Sequence, residues 1–244
     1  MLEQNMNNET AFPLATAALH EFYAGRNDDG AALSGLALAA AGIECPTRPL
    51  LWVRQDMLDR ETGTPCSTGL EAHGFASSRL ILVRVRDTLG AIQAGLEGAR
   101  TAGLAMVLVE LWGEGKAYDL TASRRFSLAA KTSGASVLVL RVAAHPAPSA
   151  AETRWLTRAA PSQALAARAP GNPAFEITLL RARNGQEGLR YCLEWDRDTR
   201  KFISRALPAA GGALIRPAPL SGALAPVPFD RQGAPVLPTR RLAG

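Results

Sequence analysis

The stretch that decides the fold is LHEFYAGRNDDGAALSGLAL, residues 19–38. A short apolar run ends at Tyr23, Gly25 and Gly30 stand five residues apart, and an Ala/Leu-rich helical pattern follows at once. This order predicts a strand, a glycine loop and a helix. A phosphate-binding loop has the same frame, although an ordinary glycine turn ahead of a helix fits the two glycines equally well.

The residues that give such a loop its chemistry are missing. A working loop reads G-x-x-x-x-G-K-[ST], in which the lysine reaches the β- and γ-phosphates and the hydroxyl holds magnesium. Ala31 and Ala32 stand at those two positions, and Asp28 and Asp29 carry negative charge inside the loop. Because these carboxylates repel a polyphosphate, the segment predicts a degenerate loop without a bound cofactor.

Further apolar runs alternate with helical patterns along the chain. Near-continuous runs of Val, Leu and Ile predict strands buried on both faces, and they cover residues 50–53, 80–85, 104–109 and 137–140. Helices are predicted over residues 31–41, 57–73, 88–102 and 120–133. Alternating strands and helices with right-handed crossovers predict an α/β domain with an open, mostly parallel sheet flanked by helices.

The pattern changes after Arg141. Shorter strands are predicted over residues 153–157, 175–180 and 189–195, and they suggest an antiparallel extension of the sheet. The last segment, residues 199–244, holds seven basic residues against one acid and contains seven prolines, which predicts a basic, disordered tail. Residues 1–11 lack periodicity and are also predicted to be disordered, so residues 12–198 form the expected domain.

Composition limits the class of protein. A chain of 244 residues with 47% hydrophobic content builds one core of ordinary size. The sequence has no long uninterrupted apolar stretch, and its polar start MLEQNMNNET lacks a basic segment, so we expect no membrane span, no signal peptide and a cytoplasmic location. Three widely separated cysteines without a C-x-x-C spacing argue against disulfides and zinc, and they are interpreted as packing residues: Cys45, Cys66 and Cys192.

The sequence resembles the ImuA family, the RecA-like accessory proteins of bacterial mutagenesis cassettes, in the type common in alphaproteobacteria. The resemblance spans roughly residues 12–198, and its blocks are LHEFYAGRNDDGAALSGLALA, RPLLWVRQDMLDRETG, RLILVRVRD, LAMVLVELWG, LTASRRFSLAAKTSGASVLVLR and ETRWLTRAAPS. The RPLLWVRQDMLDRETG and VELWG…DLTASRR blocks are the specific ones. The resemblance implies a RecA-like fold and a relationship to SulA-type division inhibitors.

The resemblance also implies a function. It is a non-catalytic accessory role in SOS-induced, error-prone translesion DNA synthesis. The implied partners are a catalytically inactive Y-family-like polymerase paralogue and an error-prone C-family polymerase, with RecA as a further candidate. Two alternatives stay open: a SulA-like inhibitor of cell division, and a RecA-like ATPase, against which Ala31 and Ala32 count.

Matched to the RecA core, Gly25 to Ala32 become the phosphate loop and Glu110 the counterpart of the Walker B acid. Gln55 or Asp56 falls where active relatives keep a water-activating glutamate. Glu110 has two interpretations, an acid that holds magnesium through water and a strand-end carboxylate hydrogen-bonded to a neighbouring loop. Because the loop lysine and hydroxyl are absent, the clamp for phosphoryl transfer is incomplete, and we predict no ATP hydrolysis, no catalytic residue and no metal.

Contact residues are harder to assign. Residues 111–119 and 143–151 stand where RecA has its DNA-binding loops, but Lys116 is their one Lys or Arg, so direct DNA contact stays open. Trp112 either stacks on a base or a partner, or packs under the following turn. Arg124 and Arg125 are interpreted as solvated surface charges. The tail either folds onto a partner or stays a solvated extension, and the candidate contact residues near and within it are Arg200, Lys201, Arg205, Phe229, Arg240 and Arg241.

Overall fold

A nine-stranded sheet organises the protein. The computed structural model describes residues 14–44, 47–165, 169 and 171–207. The strands are β1 (Leu19–Ala24), β2 (Leu50–Gln55), β3 (Leu80–Val85), β4 (Met106–Trp112), β5 (Ser136–Val142), β6 (Thr153–Ala160), β7 (Ala174–Ala182), β8 (Arg190–Asp196) and β9 (Lys201–Arg205). Their order in the sheet is β3-β2-β4-β5-β1-β6-β7-β8-β9. The first six in this order pair in parallel and the last three add antiparallel, which confirms the predicted α/β architecture with its antiparallel extension.

Five helices connect the parallel strands: α1 (Gly30–Glu44), α2 (Leu58–Glu61), α3 (Ser67–Ala72), α4 (Thr88–Ala99) and α5 (Leu120–Ser133). The two longest helices after α1 are α4 and α5, and each begins at a capping aspartate. Asp87 accepts a hydrogen bond from the Gly90 amide at 2.8 Å, and Asp119 accepts one from the Ala122 amide at 2.8 Å. Within the described ranges, no helix is long and apolar enough to cross a bilayer.

The hydrophobic core has two layers because side chains of a strand alternate between the faces of a sheet. Leu108 of β4 packs in the layer under α1, together with Leu36 and Trp155. Its neighbours Val107 and Val109 pack in the opposite layer, under α4 and α5. Glu110 shares the face of Leu108, and its side chain therefore points toward α1.

The predicted helix over residues 57–73 is two short helices in the structure. Gly63 has a φ of +86°, a left-handed conformation that ends a helix, and Pro65 follows within the same break. Gly63 and Pro65 are the local signals of this break, and the predicted helix over residues 57–73 runs across both. The segment between α2 and α3 instead lies beside the N-terminal half of α1, where it lines a cleft.

The boundary of the predicted tail also differs. Residues 201–205, placed in the tail from the sequence, form β9 at the edge of the sheet. The reason is a buried aromatic: Phe202 packs against Trp195 with ring centroids 5.2 Å apart and against Phe175 at 6.3 Å. The other predicted disordered residues, 1–11 and 208–244, lie outside the described residues, and so do Phe229, Arg240 and Arg241.

Candidate functional site

The glycine loop has the predicted strand, loop and helix order. β1 ends at Ala24, a 3-10 turn covers Asn27–Asp29, and α1 begins at Gly30. The Gly25 amide donates to the Thr157 carbonyl of β6 at 2.7 Å. The strand, loop and helix of a phosphate-binding loop are therefore present. The Gly25 amide, however, is hydrogen-bonded to the neighbouring strand β6.

The Asp29 carboxylate binds amides of the loop and of the neighbouring strand. This buried carboxylate accepts a hydrogen bond from the Arg26 amide at 2.9 Å through Oδ2, and from the Ala159 amide of β6 at 2.9 Å through Oδ1. Amides at a helix N-terminus attract anions, which is the basis of phosphate binding at such loops. Here a side chain of the loop takes that role and also fixes the loop to β6.

Side chains of neighbouring segments lie close to both loop glycines. A Cβ atom on Gly30 would lie 2.4 Å from Thr62 Cγ2, and one on Gly25 would lie 2.4 Å from Arg158 Cγ. These distances are far inside van der Waals contact, so no larger residue fits without movement of its neighbour. The two glycines thus accommodate protein side chains that lie directly against the loop.

Glu110 is buried in a polar cluster under α1. Its side chain receives hydrogen bonds from Trp52 Nε1 at 3.1 Å, Ser34 Oγ at 3.4 Å and Thr62 Oγ1 at 3.4 Å. Arg54 Nε lies 3.0 Å from Glu110 Oε2. Burial raises the pKa of the Glu110 carboxyl, and the Arg54 charge together with the donated hydrogen bonds opposes that rise.

Arg54 is the internal cation of this cluster. The side chain is buried, and its Nη1 atom donates to Asp59 Oδ1 at 3.0 Å and to the Gly63 carbonyl at 2.9 Å, while Nη2 donates to Thr62 Oγ1 at 3.0 Å. Its guanidinium also lies 5.3 Å from the ring centroid of Trp52. Glu110, for which magnesium binding through water was one of two interpretations, therefore has a guanidinium as its counter-ion. This supports the second interpretation of Glu110, a structural carboxylate, with Arg54 as its main partner rather than a loop.

Gln55 and Asp56 have different surroundings. Gln55 is buried, accepts a hydrogen bond from the Trp112 amide at 2.7 Å and donates to Thr88 Oγ1 at 3.2 Å. Its amide thus joins β2 to β4 and to the start of α4. Asp56 is exposed, and the helix that follows it has no side-chain cap.

The remaining contact candidates are placed as follows. Trp112 is half-buried and packs against the core layer under α1. Arg200 and Lys201 are exposed at the turn between β8 and β9. Arg205 pairs with Glu194 at 2.9 Å and donates to the Pro161 carbonyl at 3.3 Å, so it is engaged within the domain.

A second buried cluster, under α5, was not predicted. Glu21 accepts hydrogen bonds from Tyr118 at 2.7 Å and from Tyr23 at 3.0 Å. The nearby Arg141 donates to the carbonyls of Gly113 and Glu114 at 3.2 and 3.0 Å, and its guanidinium lies 5.0 Å from the Tyr118 ring centroid. Burial and the Glu21 charge raise the pKa of Tyr118. The cluster anchors residues 113–118 through the contacts of Tyr118 and Arg141.

A cleft of about 210 Å³ lies beside the degenerate loop, lined by residues of α1, β2 and the 62–73 segment that include Ser34, Leu38, Trp52, Arg54, Cys66 and His73. Cys66 is exposed, which corrects its interpretation as a packing residue, while Cys192 is buried as expected. Burial lowers the pKa of His73, whose Nδ1 lies 2.8 Å from the Gly69 carbonyl. In the part of the chain that the structure describes, no three His, Cys, Asp or Glu residues are grouped as metal ligands.

Comparison with known proteins identifies the fold. No protein-family model matches the sequence, and no curated protein matches it. Among solved structures, the chain is similar to the crystal structure of the RadB recombinase, with a TM-score of 0.53 and 16% sequence identity over 79% of this chain and 92% of that chain. At this identity the likeness establishes a RecA-like fold.

Proposed function

We propose that this protein is a non-catalytic adaptor of damage-induced, error-prone DNA synthesis, of the ImuA type. The RecA-like fold and the sequence blocks that resemble this family support the proposal. Its partners in the proposal are an inactive Y-family-like polymerase paralogue and an error-prone C-family polymerase, with RecA as a further candidate. A cytoplasmic location is part of the same proposal.

One observation carries the non-catalytic part of the proposal. The groups that bind and activate a nucleotide in a RecA-like ATPase are either absent or engaged within the protein. Ala31 and Ala32 offer neither ammonium nor hydroxyl, Asp29 accepts the loop amide of Arg26, and Arg54 is the counter-ion of Glu110. A nucleotide would have to displace a buried carboxylate and a buried guanidinium, and each displacement leaves polar groups unpaired at considerable cost.

The exposed edge of the sheet supports a role in protein contacts. β3 has one paired neighbour, β2, and its sequence LILVRV is apolar except for Arg84, which pairs with Asp59. Ile81 on this strand is 46% exposed. Edge strands of this kind pair with extended segments of other chains. The opposite edge, β9, begins with Lys201 and ends with Arg205, charges that disfavour such pairing. We assign the β3 edge to an extended segment of the polymerase paralogue.

The test combines genetics with binding. Deletion of the gene is expected to abolish damage-induced mutation, and the full-length protein is expected to co-purify with the polymerase paralogue without ATP. Titration of the purified protein with a fluorescent ATP analogue and magnesium is expected to show no saturable binding. Micromolar ATP binding or turnover would support the ATPase alternative instead, and filamentation on overexpression with unchanged mutation frequency would support the SulA-like alternative.

A further inference from the structure

Helix α5 exposes one continuous face. Its inner side packs on the sheet through Ala122, Ser123, Phe126, Ser127, Ala129 and Ala130. The residues on its outer side are all exposed and recur at helical spacing: Leu120, Thr121, Arg124, Arg125, Leu128, Lys131 and Thr132. We call these seven residues the α5 face.

The α5 face is basic and uncompensated. It carries Arg124, Arg125 and Lys131, and the helix contains neither Asp nor Glu. Asp119, just before the helix, is used as the cap of the Ala122 amide. Among the described residues no ion pair reaches these three cations, whereas four other arginines do form ion pairs: Arg84 with Asp59, Arg100 with Glu97, Arg183 with Glu152 and Arg190 with Glu176.

An exposed leucine stands among the cations. Leu128 is 66% exposed, the largest fraction among the large hydrophobic side chains of the described ranges. It follows Arg124 by four residues and Arg125 by three, and Lys131 follows it by three, so all three cations are its neighbours on the helix surface. Leu120 extends the apolar part of the face by two turns and is 41% exposed. Phe126 and the alanines fill the core contact, and neither leucine takes part in it.

We propose that the α5 face binds an acidic peptide segment of a partner protein, with a large apolar side chain seated on Leu128 and carboxylates paired with Arg124, Arg125 and Lys131. Charge complementarity selects an acidic occupant. The leucines select a peptide over a nucleic acid, because a phosphate backbone buries no leucine and the face has no aromatic ring to stack on a base. Binding of such a peptide requires only these side chains and is independent of the mutagenesis pathway.

The experiment uses the full-length protein and a fluorescein-labelled synthetic peptide of about 15 residues. The peptide carries leucines at helical i, i+3, i+4, i+7 spacing and glutamates elsewhere. Fluorescence anisotropy is expected to show saturable binding that weakens with added salt. The double variant Arg124→Glu/Arg125→Glu is expected to bind at least about tenfold more weakly, and Leu128→Ala about fivefold more weakly.

Matched controls separate this site from general attraction to a basic protein. Arg181→Glu changes an exposed arginine on β7, and Leu165→Ala changes an apolar side chain that is 58% exposed in a loop. Both are expected to bind like the parent, within about twofold. If the double variant unfolds, the comparison of Leu128→Ala with Leu165→Ala still tests the proposal.

Three outcomes would overturn the proposal. The first is equal binding by the parent, the double variant and Leu128→Ala. The second is equal binding of an all-glutamate peptide without leucines, which would reduce the effect to charge. The third is a single-stranded oligonucleotide that binds at lower concentration than the peptide and is sensitive to the same arginines, which would make the face a nucleic-acid site.

Discussion

Arg54 Nε lies 3.0 Å from Glu110 Oε2, and both side chains are buried within the RecA-like domain. The pair joins β2 to β4, and Trp52, Ser34 and Thr62 complete the hydrogen bonding of the carboxylate. The ion pair is therefore part of the protein core, and its contribution can be measured as a change in the free energy of unfolding.

Breaking this pair on one side is expected to be costly. Arg54→Met leaves Glu110 buried without its counter-ion and is expected to lower the free energy of unfolding by about 3–5 kcal/mol. Because burial already raises the pKa of Glu110 and the variant removes the opposing charge, the pKa rises further. A group with a raised folded-state pKa stabilises below its unfolded pKa and loses that effect as pH rises through the folded pKa. The defect should therefore be smallest near pH 4 and grow toward neutrality in urea titrations, and a pH-independent defect would contradict this account.

Asp29 is expected to matter for stability although it lies in a loop. Asp29→Ala leaves the amides of Arg26 and Ala159 without their acceptor and should cost about 1–3 kcal/mol in chemical denaturation. Asp28→Ala is the matched control, because Asp28 is exposed and adjacent, and its effect should stay within about 0.5 kcal/mol. Equal effects of the two variants would show that the buried hydrogen bonds contribute nothing.

Restoring the missing loop residues is not expected to restore nucleotide binding. The variant Ala31→Lys/Ala32→Ser reinstates the lysine and hydroxyl of a working loop, but Asp29 and Arg54 keep their present partners. Titration with a fluorescent ATP analogue and magnesium should remain flat to about 1 mM, which corresponds to less than about 4 kcal/mol of binding. Micromolar binding by this variant would mean that the two alanines alone disable the loop.

The buried tyrosines predict a stability loss in alkali. The pKa values of Tyr118 and Tyr23 are raised by burial and by the Glu21 charge. Since raised folded-state values stabilise below the unfolded pKa near 10, stability should fall as pH increases beyond about 10. Tyr118→Phe should cost about 1–3 kcal/mol at pH 8 and make the alkaline decline shallower in thermal melts between pH 8 and 11. An identical slope in parent and variant would remove Tyr118 from the explanation.

Ile81→Lys tests the β3 edge. A lysine on an edge strand disfavours pairing with another chain, so co-purification of the polymerase paralogue should fall by about fivefold to tenfold. Leu189→Lys is the control, since Leu189 is 42% exposed against 46% for Ile81 and lies near the β7–β8 turn. Full retention of the paralogue by Ile81→Lys would place the contact elsewhere.

The sheet and the loop frame could be predicted because strongly apolar runs and two glycines are local signals. Residues 50–53, 80–85 and 137–140 were each within a few residues of an observed strand. The two buried clusters could not be predicted, because the residues that form them are distant in sequence. Glu110 contacts Trp52 across 58 positions, and Tyr118 contacts Glu21 across 97. The one available signal was a charged residue inside an apolar run, as with Glu21, Arg54 and Arg141. β9 was missed because the aromatic partners of Phe202 lie on other strands.

The contacts that fill the glycine loop come from several separate segments of the chain. Asp29 lies in the 3-10 turn, the two alanines lie in the first turn of α1 and Arg54 lies on β2. Arg158 on β6 and Thr62 after α2 occupy the space beside the loop glycines. Under the proposed non-catalytic function, single substitutions toward a working loop would each leave a buried charged group unpaired before all the groups needed for nucleotide binding were in place. The same interior that stabilises the domain would then also hold it in its adaptor role.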